Sequence, residues 1–213
     1  MLSLETELAT IVSLNSVALP HPYRRNTVPR RIPAALGVAF ERCYDFETLF
    51  YDVFFDPHSS RLIVLCPKLL NFRQLIRGGN VFVDGEQCDF CVESHGRYDL
   101  LWLNVSYVPS TFSVALDGRL FSSGVSSSGS DLFAGKRVLL TLSKNNRLDW
   151  IADWVKHHVA AHGANAVLLF DNDSDLYSAQ DVAGVMARIS GLECFRVVSA
   201  PFRFGPHSST AFG

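Results

Sequence analysis

The sequence predicts a mixed architecture: a β-rich domain, then the opening β-α-β-α-β stretch of a parallel α/β sheet, cut short before the sheet is complete. Three observations carry that reading. Short runs rich in Val, Phe, Leu and Tyr, separated by turn pairs, fill residues 36–122. A Ser/Gly tract at residues 122–130 interrupts them. Beyond it, continuous apolar runs alternate with segments whose apolar residues recur at three- and four-residue steps, as buried parallel strands and amphipathic helices do.

The composition permits a core. Hydrophobic residues make up 48% of the 213 and charged residues 19%, the reverse of a disordered chain. The net charge of −2 supplies no global positive field, which argues against nucleic acid as a partner. The five cysteines are odd in number and scattered, and Cys66 sits inside the apolar run 62–66. Such cysteines read as free thiols of a reducing compartment rather than as a disulfide framework. No segment has the order of a signal peptide, and no apolar run approaches the roughly 18–20 residues of a membrane span. The expected location is the cytoplasm, including the inner face of the membrane.

Residues 1–35 form the first segment. Leu2, Leu4, Leu8 and Ile11 have a weak helical spacing, and four prolines with four arginines follow at 20–33, a composition that favours an extended, solvated linker. In the β-rich domain at 36–122, residues 81–90 carry the clearest hairpin signal, because Asp84-Gly85 suits a type I′ turn. The tract that follows places a flexible linker at 123–135. In the last domain, 136–213, residues 137–142 and 166–170 read as buried strands and 194–198 as a third. Leu148, Ile151, Val155 and Val159 mark the first helix, which Gly163 stops. Val182, Val185, Met186 and Ile189 mark the second, which Ser178 and Asp181 cap.

In an open parallel sheet, ligands bind at the carboxyl ends of the strands. Those ends carry Ser143, Lys144, Asn145, Asn146 and Arg147 after the first strand. Asp171, Asn172, Asp173, Ser174 and Asp175 follow the second. A carboxylate there can accept from a base N–H or from ribose hydroxyls, and Lys144 or Arg147 can approach a diphosphate. The bland alternative for the acidic cluster is a solvated turn leading into the next helix. His158 and His162 have chelating spacing but no third ligand, so packing is the better reading. Cys88 and Cys91 fall in a strand pattern that sends them to opposite faces.

These stretches resemble a known family. Leu142-Ser143-Lys144-Asn145-Asn146-Arg147-Leu148-Asp149-Trp150-Ile151 resembles the first strand and helix start of bacterial family 2-like glycosyltransferases of the GT-A, Rossmann-like fold. The segment from Trp154 through His157, His158 and Gly163 is similar to that family's Trp, paired-His and Gly segment. Residues 166–175 resemble its second strand, closed by an Asp-Asn-x-Ser-x-Asp pattern. The resemblance covers residues 136–206, about a third of the chain, and departs from the family where Asn146 replaces an acid. It implies a nucleotide-sugar donor, a glycan or lipid-linked glycan acceptor, and a role in cell-surface polysaccharide synthesis.

On the same resemblance, Ser143, Lys144, Asn145, Asn146, Arg147, Asp171, Asp173 and Asp175 would form the nucleotide-binding set, with Asp171 at the base or ribose. A divalent cation, Mn²⁺ or Mg²⁺, is implied for the complete enzyme. The family's metal-binding DxD and its catalytic base are expected beyond Gly213, so the catalytic residues are unassigned. The rival reading is a non-catalytic protein whose β-rich domain binds glycan or a partner through Tyr98, Trp102 and Tyr107.

Overall fold

The computed structural model describes residues 11–26, 40, 42–76 and 79–203. Among them, strand residues outnumber helical ones about two to one, 38% against 19%. The chain divides into two compact units, which among the described residues fall within 15–128 with 203 and within 11–14 with 129–202.

The first strand, β1 (Ile11–Ser13), belongs to the second unit. The first unit opens with β2 (Val17–Ala18), β3 (Thr48–Phe50), β4 (Asp52–Asp56) and β5 (Arg61–Pro67). A one-turn helix α1 (Phe72–Leu75) leads to β6 (Val81–Val83), β7 (Glu86–Gln87), β8 (Cys91–Ser94) and β9 (Tyr98–Asn104). It ends with β10 (Thr111–Leu116), β11 (Arg119–Gly124) and β12 (Ser126–Ser127). Sheet orders are β12-β4-β5-β9-β8 and β11-β10-β6-β7, with β2 paired to β3. All pairings are antiparallel except β12 with β4.

Alternation explains the burial. Leu62, Val64 and Cys66 of β5 are buried while Arg61, Ile63 and Leu65 are half-exposed, as a period of two requires. The inward residues join one core in which Phe50 and Phe112 meet edge to face at 5.3 Å. Two hairpins turn on the same chemistry. Asp84-Gly85 joins β6 to β7 and Asp117-Gly118 joins β10 to β11, all four residues at positive φ, the conformation a type I′ turn needs.

The second unit contains a 3-10 turn (Ser130–Phe133), β13 (Val138–Ser143), α2 (Leu148–His162), β14 (Ala166–Asp171), α3 (Ala179–Met186) and β15 (Cys194–Ser199). Its sheet runs β1-β15-β14-β13, every pair parallel. Gly163, at φ 63, closes α2 by donating to the carbonyl of Val159. Ser178 caps α3 in a full capping box with Asp181. Ile151 and Val155 of α2 and Val182 and Met186 of α3 share one core with Val167, Leu169 and Val197, so both helices lie on the same face of the sheet.

The fold class expected from the sequence is thereby corrected. The chain is β-rich overall and dominated by antiparallel sheets; it is not an α/β chain built on the parallel sheet of a GT-A or Rossmann-like domain. A doubly wound sheet carries helices on both faces. Here the described helices cover one face, while on the other Leu140 and Leu142 of β13 are 67% and 52% exposed. Nor does the sheet stop at three strands, since β1 pairs with β15 as a fourth. The periodicity of residues 136–200 belongs to one sheet, and antiparallel pairing dominates the other described strands.

Two local expectations also change. The Ser/Gly tract is ordered structure: Ser122, Ser123 and Gly124 belong to β11, and Ser126 and Ser127 to β12. Its small residues suit close strand pairing, and Ser122 accepts the hydroxyl of Ser113 at 2.9 Å. The arginines of the expected solvated linker are engaged where they are described. Arg25 is 3% exposed and donates to the carbonyls of Asp45 (2.9 Å) and Thr48, and the Arg24 guanidinium lies 3.6 Å from the centre of the Phe46 ring. The helical spacing over Leu2, Leu4 and Leu8 and the linker at 27–33 lie outside the described residues; Ile11 begins a strand.

Candidate functional site

β13 and β14 end together. Ser143 and Asp171, the last residue of each, are paired in register, and both are buried. The amide of Asn172 donates to the Ser143 carbonyl at 2.8 Å, carrying the ladder one step further before the chains part.

A hydrogen-bonded relay ties the two loops beyond. Asn145 adopts φ 56, a left-handed conformation that Asn tolerates better than most residues. Its amide donates to the Ser174 hydroxyl at 2.9 Å, and its side-chain oxygen accepts from the amides of Asp175 (3.0 Å) and Leu176 (3.4 Å). Ser174 in turn donates to Asp171 twice, from its hydroxyl at 2.5 Å and from its amide at 3.2 Å. The buried Asn172 side chain donates to the carbonyls of Ala200 (2.7 Å) and Phe202 (2.8 Å), fastening the end of β14 to the segment after β15.

Above Ser143 the first loop stays polar and open. Asn146 is exposed and donates to the Ser143 hydroxyl at 3.0 Å, which also lies 3.4 Å from the Tyr177 hydroxyl. Lys144 is exposed and engages no side chain among the described residues. Arg147 is held by Asp149 through Nε at 3.0 Å and a second contact, and stands 5.5 Å from the centre of the Trp150 ring. That bidentate hydrogen bond keeps the exposed Asp149 carboxyl below its ordinary range. A hollow of about 220 Å³ lies alongside, lined by Thr141, Ser143, Asn146, Trp150, Ile151, Trp154 and Leu169. Thr141, Ser143 and Leu169 line it because the pleat turns them to the helix-covered face.

The structure thus brings Ser143, Asn145 and Asn146 together with Asp171 and Asp175 at one end of the sheet. It commits Arg147 to Asp149 and leaves Lys144, Asp173 and Asp175 on the surface. Asp171 braces the second loop rather than standing free. The divalent cation implied by the family resemblance does not fit these residues. Asp171 already accepts from Ser174 on both oxygens, and no group of three His, Cys, Asp or Glu side chains among the described residues is placed to hold a metal ion.

The sequence places Ser174 in the polar cluster after the second strand without giving it a role, while Tyr177 as a partner of the site and Trp150 and Trp154 as walls of the hollow are not expected from it. Trp150 and Trp154 are spaced i, i+4 at the start of α2, which puts them on one face; that was the available signal. No such signal could have joined Asn145 to residues 174–176, thirty positions away.

Elsewhere among the described residues, Arg25 Nε, Asp45 Oδ2 and Arg196 Nε are buried without a hydrogen-bond partner, and other polar groups are engaged. In the first unit Asp99, 1% exposed, accepts from Lys68 and Ser94 and, at 2.9 Å, from the Leu69 amide. Burial opposes ionisation of this carboxyl, but the hydrogen bonds from Lys68, Ser94 and Leu69 outweigh it and hold its pKa below the usual value. Arg61 lies 4.1 Å from the centre of the Trp102 ring, and His95 stacks on Tyr98 at 4.5 Å, so both aromatics already have neighbours on a face. His157, His158 and His162 make ring contacts with one another at 5.1–5.8 Å, and Trp154 packs on His158 at 4.9 Å. No helix among the described residues is long and apolar enough to cross a membrane.

No protein-family model, no curated protein and no solved structure matches the chain.

Proposed function

We propose that the parallel-sheet unit holds the nucleotide part of a nucleotide-sugar donor, in a protein that serves glycosyl transfer in cell-surface polysaccharide assembly. The observation that supports donor binding is the register of Ser143 with Asp171 at the carboxyl ends of neighbouring parallel strands, beside an open hollow. Carboxyl ends of parallel strands are where open sheets bind nucleotides. In this reading the Ser143 hydroxyl and the Asn146 amide meet the nucleoside, and Lys144 meets the diphosphate as a flexible cation. Asp171 acts through Ser174, holding the second loop in place. The sugar-transfer part of the proposal rests on the sequence resemblance of residues 136–206.

The test is calorimetric titration and thermal shift of the full chain with UDP, GDP, CMP and their sugars, with and without Mn²⁺. Ligand at 100 times Kd adds about 2.7 kcal/mol of stability, enough to see as a rise in Tm. We expect one nucleotide to raise Tm, and Asn146→Ala and Lys144→Ala to weaken it without lowering the Tm of the free protein, since both side chains are exposed. Asp171→Ala is the poorer probe, because it removes a loop brace. If no nucleotide binds at millimolar concentration, donor binding is wrong.

A further inference from the structure

The hollow beside Ser143 differs from the loops around it in having aromatic walls, and this difference identifies what it would take. Trp150, Trp154, Ile151 and Leu169 are apolar, whereas Ser143, Asn146 and Thr141 supply polar atoms. Its volume, about 220 Å³, lies below the roughly 300–1,000 Å³ of sites that enclose drug-sized ligands, so it suits a single ring system and not a whole nucleotide. Trp150 is 62% exposed, so its indole can be reached by a ligand, with the Arg147 guanidinium 5.5 Å from the ring centre.

We propose that this hollow is the nucleobase subsite, with the Trp150 indole as its stacking platform and Asn146 reading the edge of the base. The inference rests on the donor-binding reading above and adds to it the place of the base. A base has two apolar faces and a polar edge, which matches indole walls and a few amide and hydroxyl groups. A hexose carries hydroxyls around its whole rim, and against Trp154, Ile151 and Leu169 several would be buried without partners. The Asn146 amide has a donor and an acceptor side by side, the arrangement that pairs with the edge of a base. It already donates once to Ser143, leaving its carbonyl and its second N–H for the ligand. Lys144, exposed on the same loop, supplies a positive charge for a phosphate attached to that nucleoside, whereas Arg147 is held by Asp149.

The experiment uses intrinsic fluorescence of the full chain carrying Trp102→Phe, which leaves Trp150 and Trp154 as the emitting pair. UMP, GMP, AMP, uridine and methyl glucoside are titrated separately, and the same ligands are measured by calorimetry. The expected result is saturable quenching by a nucleotide and by its nucleoside, with no response to methyl glucoside. Trp150→Leu should weaken nucleotide binding roughly 5- to 150-fold, the range that loss of one base–aromatic stack produces, while Trp150→Phe retains most of it. Nucleotide binding that calorimetry detects equally in wild type and Trp150→Leu would overturn the base subsite and leave the donor reading standing. Saturable quenching by methyl glucoside alone would overturn it in favour of a sugar pocket. Failure of any nucleotide to bind wild type would overturn both. Because Trp150 is largely exposed, the Leu variant should keep the parent Tm. If it does not, the Phe variant and Asn146→Ala decide, and retention of full affinity in Asn146→Ala would overturn the edge-reading role.

Discussion

The two units bury a carboxylate to nearly the same degree and use it differently. Asp99 in the antiparallel unit is surrounded by Lys68, Ser94 and the Leu69 amide, which together engage both of its carboxylate oxygens. Among the described residues the Asp171 carboxylate in the parallel unit is engaged by Ser174 alone, and its strand partner Ser143 lines a hollow that reaches solvent. The sheets follow the same division. Antiparallel strands turn their apolar residues into one core, whereas the parallel sheet packs two helices on one face and leaves Leu140 and Leu142 exposed on the other. Burial of a polar group therefore does not separate the two places; the open, partly aromatic hollow beside Ser143 does.

The comparison can be broken by mutation. Phe112→Ala should be the most damaging change, costing about 3–5 kcal/mol, because it removes a fully buried ring packed edge to face on Phe50. Urea denaturation measures it, and a loss below 1 kcal/mol would mean that the antiparallel core is not closed as described. Asp99→Ala should cost about 2–4 kcal/mol, by stranding Lys68 and the Leu69 amide.

The same residue makes a pH prediction. Its pKa is lower in the fold than in the unfolded chain, so its contribution is complete above the unfolded value of about 3.9 and is lost as pH falls through the folded value. Wild type should therefore lose more stability than Asp99→Asn on acidification below about pH 4. Parallel acid slopes for the two proteins would rule out the depressed pKa.

In the parallel unit, Ser178→Ala should cost about 1 kcal/mol through loss of the α3 cap, measurable as faster amide exchange at residues 180–182. Leu140→Ser should change stability by no more than about 0.5 kcal/mol, since that side chain is already in water. A loss of 2 kcal/mol there would mean that the open face is covered in solution.

Much of the local structure was legible. Residues 137–142 read as a strand, and Val138–Ser143 is one; the apolar spacing from Leu148 to Val159 and the stop at Gly163 coincide with α2. The Asp84-Gly85 and Ser178/Asp181 signals give the turn and the cap expected of them. These features depend on interactions within a few residues, so a short window of sequence contains their cause. The local pattern misleads about the whole: the linker expected at 123–135 contains Ser123, Gly124, Ser126 and Ser127 of β11 and β12, because strand pairing with Phe112 or Phe55 is invisible locally.

At the candidate site the sequence determined which polar residues follow the first two strands of the parallel sheet, because strand ends are set by where the apolar run stops. Tertiary structure decided what those residues can do. It turned Asp171 toward Ser174, committed Arg147 to Asp149, brought Asn145 to Asp175 and placed Trp150 and Trp154 around a hollow. It also placed β1 beside β15, nearly two hundred residues away, a pairing whose loop-closure cost and reward are both properties of the whole chain. Contacts between residues distant in sequence form only once separate segments share a core, and so no local reading contains them.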